Sequence, residues 1–148
     1  LTITGSRPLI FIPRKVTESD FTDLIRGAIL KLSRQLEETS GVLFAGFHDD
    51  ERFHQIFDVF KMELENSGYE LKEVSFSDRF EKSSEDSPIK IIRAPLILKN
   101  PNFAFIDKRY SVILAVKLGS TPISSIRDVS DMLKARGISS VETVVYEA

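Results

Sequence analysis

Gly41-Val42-Leu43-Phe44-Ala45-Gly46-Phe47-His48-Asp49-Asp50-Glu51-Arg52-Phe53-His54-Gln55 is the stretch that decides the fold of this chain. Val42 to Gly46 is an apolar run without a polar break, the pattern required of a strand buried on both faces. His48-Asp49-Asp50 reads as a loop, and a helix follows in which Phe53, Ile56, Phe57, Phe60 and Leu64 recur at helical spacing. Ser67-Gly68 closes that helix. A doubly buried strand feeding an amphipathic helix is the unit from which parallel sheets are built.

The same alternation continues on both sides. Upstream, Thr17 with Asp20, or Ser19, gives an N-cap signal. Phe21, Leu24, Ile25, Ala28, Leu32 and Leu36 then fall on one helix face, with Gly41 as the stop. Before that helix, residues 8 to 12 form a short apolar run closed by Pro13, which predicts an edge strand. Downstream, strands are predicted at Leu71 to Phe76, Ile89 to Ala94, Val112 to Val116 and Val141 to Tyr146. Residues 77 to 88 are polar and predict a mobile loop. Ser120-Thr121-Pro122 opens a last helix carrying Ile123, Ile126, Val129, Met132 and Leu133, capped by Gly137. The expected architecture is a three-layer α/β domain, with a largely parallel sheet and helices on both faces.

Composition bounds the function. The 148 residues fit one domain spanning 1–148, and 28% charged residues with a net charge of −2 give no global attraction for nucleic acid. Without cysteine there is no disulfide, thiolate metal site or cysteine nucleophile. No apolar run approaches the roughly 20 residues of a membrane helix. The chain opens on Leu1 rather than Met, as expected of a piece of a longer, membrane-associated protein.

Local wording narrows the fold. The pieces are Gly41 to Gly46, Asn66-Ser67-Gly68-Tyr69-Glu70-Leu71, Ile89-Lys90-Ile91-Ile92-Arg93-Ala94-Pro95-Leu96-Ile97, and Val112-Ile113-Leu114-Ala115-Val116-Lys117-Leu118-Gly119-Ser120-Thr121. In that order they resemble the nucleotide-binding domain of bacterial capsule and exopolysaccharide tyrosine kinases, members of the phosphate-loop NTPases. The resemblance implies a phosphate loop beginning at Gly46, yet Asp49, Asp50 and Glu51 would repel a triphosphate. Arg52 stands at the glycine before the lysine, Phe53 at the lysine and His54 at the magnesium-binding hydroxyl. Ser75 and Ser77 stand where magnesium-organising acids end the second strand, and Arg93 replaces the acid of the proline-containing strand. The resemblance therefore implies a degenerate site with no catalytic residue, cofactor or metal. It further implies a pseudo-kinase in capsule or exopolysaccharide assembly, cytoplasmic and at the inner face of the membrane. Its expected partner is a membrane polysaccharide co-polymerase or a related kinase, with homo-oligomerisation open.

Other readings compete. Asp49, Asp50 and Glu51 could be the acidic cluster of a receiver-like signalling module lacking its acceptor Asp, but an N-cap and first helical turn is the simpler reading. His48 and His54 with these acids do not share a helix face, so a solvated loop is expected rather than a metal site. Arg93 ends an apolar strand and is expected to face the crevice, pairing with Asp49 or Asp50 or binding an anion. Arg26 is expected opposite the apolar stripe of its helix, near the family's oligomerisation motif or as a plain surface residue. Phe103 and Phe105 are expected to dock a partner or to cover a sheet edge.

Overall fold

The computed structural model describes residues 7–75, 88–99, 106 and 108–148. Within them the strands are β1 (Ile10–Ile12), β2 (Gly41–Gly46), β3 (Leu71–Val74), β4 (Ile89–Ala94), β5 (Tyr110–Lys117) and β6 (Val141–Tyr146). The helices are α1 (Glu18–Glu37), α2 (Glu51–Asn66) and α3 (Ile123–Ala135), with a 3-10 turn at Ile97–Lys99. The six strands form one all-parallel sheet in the order β1-β6-β5-β2-β4-β3. Ser77, Phe103, Phe105 and most of the 77 to 88 loop lie outside the described residues.

Burial follows the sequence pattern. Every residue of β2 is buried, as its apolar run requires, and β5 is buried from Tyr110 to Val116. β1 and β3 take the two edges, where strands are short and partly exposed. Side chains alternate between the faces along each strand. Val42, Phe44, Ile91 and Ile113 therefore join α1 and α2 in one core. Leu43, Ala45, Ile92, Val112 and Leu114 join α3 in the other. The α1/α2 core is aromatic at its centre, with Phe44 5.4–5.6 Å from the rings of Phe53, Phe57 and Phe60.

Helix ends show the capping physics. Thr17 accepts from Asp20 N at the start of α1, and Asp50 accepts from Phe53 N at the start of α2. Gly68, at φ 96°, takes the left-handed position after α2, and Tyr69 N reaches back to Leu64 O. Gly41 is not the stop of α1, because Glu38 is the C-cap and Thr39 and Ser40 intervene. It is the first residue of β2, and the Tyr110 ring occupies the space a Cβ would need.

Two helix stripes differ from expectation. In α1, Ile29 is buried and Leu24 is partly exposed. In α3, Ile123 and Met132 are 63% and 44% exposed, and Ser130 lies with Ile126, Val129 and Leu133 on the buried side. Ile123 is the first residue of its helix. No described helix is long and apolar enough to cross a membrane.

Candidate functional site

In open parallel sheets ligands bind outside the carboxyl ends of the strands, where the connections part. Here β2 is that parting strand: its connection runs through α2 on one face, and β5 leaves through α3 on the other. The loop after β2 therefore faces the ends of β5 and β6. Asp50 holds its centre. Its Oδ1 accepts from Phe53 N at 2.8 Å, its Oδ2 accepts from Tyr146 Oη at 3.1 Å, and Lys117 Nζ lies 3.4 Å from Oδ2. Tyr146 is fully buried. Burial pushes its phenol well above the usual tyrosine range, and the charge of Asp50 and the hydrogen bond to it add to the shift. Beside them Thr121 Oγ1 accepts from Lys117 N at 3.0 Å and pairs with His48 Nε2 at 3.1 Å.

The floor of this site is hydrophobic. A Cβ at Gly46 would meet the Phe53 ring at 2.7 Å and the Pro95 carbonyl at 3.2 Å. The Phe53 ring is buried against Phe44. The start of α2, where free helix N–H groups would meet a phosphate, is taken by the carboxylate of Asp50.

Arg93 is turned away from this cluster. It shares the α2 side of β4 with Ile91, two residues before it, so it lies under α2 rather than in the crevice. The expected pairing with Asp49 or Asp50 is replaced by Asp58 at 2.8 Å and Glu73 at 3.3 Å. Its guanidinium carbon sits 4.1 Å from the centre of the Phe57 ring. Arg93 Nη1 also lies 3.2 Å from His54 Nδ1, and His54 Nε2 lies 2.6 Å from Asp49 Oδ1. Arginine can only donate, which assigns the proton of a neutral His54 to Nε2 and spends its lone pair on Arg93.

Arg52 points the other way, donating to Pro13 O at 3.0 Å and lying 4.8 Å above the Phe21 ring. Ser75 is exposed just past β3, with β4 between its strand and β2. Arg26 is exposed, as expected of a surface residue, yet it also reaches across to α2. Its Nε donates to Glu63 of α2 at 3.0 Å, and that acid's side chain is only 4% exposed. The Glu63 bond and charge push the Arg26 guanidinium further up. The pair ties α1 to α2. Among the described residues no group of three or more His, Asp or Glu side chains could hold a metal ion.

Sequence reasoning missed Lys117, Tyr146, Asp58, Glu73 and Glu63 as partners. Only Glu63 carried a local signal. It sits three residues after Phe60 and seven after Ile56, inside the apolar stripe, and a buried acid there demands a cation. Compared with known proteins, the chain matches no family model, no curated protein and no solved structure.

Proposed function

We propose that this domain is a non-catalytic relative of the capsule and exopolysaccharide tyrosine kinases that acts by protein–protein contact. The observation that supports this reading most is the occupied anion seat. Asp50 caps the helix where a phosphate would bind, and Phe53 fills the space beside Gly46 where the loop lysine would stand. An anion entering there would have to displace a carboxylate and meet an aromatic floor. Strand order supports the same reading. Counting β2 as the first strand, the order is 2-3-1-4-5, with the proline-containing strand β4 beside β2. The receiver-like alternative belongs with the order 2-1-3-4-5, which this sheet does not have.

The partner in this reading is a membrane polysaccharide co-polymerase or a related kinase, and the pathway rests on the sequence resemblance. Isothermal titration with ATP and ADP in the presence of magnesium tests the vacant chemistry. Absence of heat supports it, while micromolar, magnesium-dependent binding overturns it. Titration with the cytoplasmic segment of a co-polymerase and with a capsule-type kinase tests the partner. A domain silent toward both proteins would sink the pathway assignment.

A further inference from the structure

The outward face of α1 is patterned about its own midpoint. Gly27 lies there with nothing within 4 Å of a Cβ added to it, so the rest of the fold does not demand a glycine. A mid-helix glycine costs stability against alanine, and close approach by another backbone is a reason to keep one. Reading outward from Gly27, Leu24 and Leu30 stand three residues away on either side. Asp23 and Lys31 stand four away, and Asp20 and Arg34 seven away. At helical pitch all of these project within about 60° of the Gly27 direction. Asp23 and Asp20 thus each have a base at the mirror position on the carboxyl-terminal half.

We infer that α1 forms an antiparallel, two-fold contact with the α1 of a second copy of this chain, crossing at Gly27. An isologous interface sets each residue against its mirror position on the other subunit. Asp23 then meets Lys31 and Asp20 meets Arg34, each pair formed twice, and the two helix dipoles run in opposite directions. Leu30, 71% exposed and the most exposed large apolar side chain described, faces the other copy's Leu24. Leu24, Gly27 and Ile10 line an open cleft of about 410 Å³ that this leucine enters. The existing contacts are compatible with this. Lys31 spends one of its three donors on Leu9 O, and Asp23 only meets Arg26 across the surface at 3.6 Å. The contact is one helix wide, so it belongs with small, salt-sensitive interfaces.

Sedimentation equilibrium of the whole chain at low and high salt, at concentrations into the high micromolar range, reads the association. A dimer at low salt that weakens at least tenfold in high salt is expected. Two charge-reversed proteins, Asp20→Lys with Asp23→Lys and Lys31→Asp with Arg34→Asp, are each expected to be monomeric and to form a 1:1 complex on mixing. Gly27→Ala separates folding from association: it should raise the melting temperature while weakening the dimer. A chain that stays monomeric at every concentration overturns the inference. So does a ring of more than two copies, or a dimer indifferent to charge reversal.

Discussion

The two ends of the sheet solve the same problem with different chemistry. At the carboxyl ends of the strands the ties are ionic or to an ion: Asp50 with Lys117 and Tyr146, and Asp49 with His54. At the amino ends hydroxyls and an amide take part. Thr39 Oγ1 pairs with Ser111 Oγ at 2.6 Å, and Ser140 Oγ donates to Gln35 Oε1 at 3.0 Å. Gln35 in turn reaches Glu142 at 3.3 Å. The Thr39–Ser111–Ser140–Gln35 part of this staple carries no ionisable group, so it holds over a wide pH range. The comparison thus separates an end tied by hydroxyls from an end closed by ion pairs.

The severest way to break the closed end is to remove its floor. Phe53→Ala should cost about 3–5 kcal/mol, read from denaturant unfolding, because a fully buried ring leaves a cavity. Asp50→Ala should cost about 2–4 kcal/mol, combining a lost N-cap with a buried phenol left unpaired. The third effect is on pH. The Tyr146 phenol is raised above its ordinary value of 10, so the folded chain keeps a proton that the unfolded chain releases. Stability from this group is fully present below pH 10 and falls as the pH rises beyond it, by up to about 1.4 kcal/mol per unit. Unfolding curves of Tyr146→Phe should lack that alkaline slope. At the neutral end, Ser111→Ala should cost about 1 kcal/mol and leave the pH profile unchanged.

Much of the fold was legible because it is written in short-range patterns. The runs Ile89 to Ala94 and Val141 to Tyr146 are the observed strands to the residue, since their apolar stretches end at prolines or polar clusters. The stripe of α2 and its Asp50 cap were equally local. The cluster around Asp50 was not legible. Tyr146 meets Asp50 across 96 residues of chain, and that contact depends on which strands the crossovers make neighbours. Arg93 was misjudged for a related reason. Its place at a strand end was evident, but the face it takes is set by register with Phe44 and by what α2 offers above it.

The fit of Phe53 against Gly46 leaves the charged end of the sheet resistant to any single replacement. Phe53→Lys alone would drive an ammonium into the cluster around Phe44. Asp50→Gly alone would strip Tyr146 and Lys117 of their acceptor. Each single change therefore unsettles the packing before it could open any space at the strand ends. Only several changes made together would open this end of the sheet, whereas exposed positions can change one at a time.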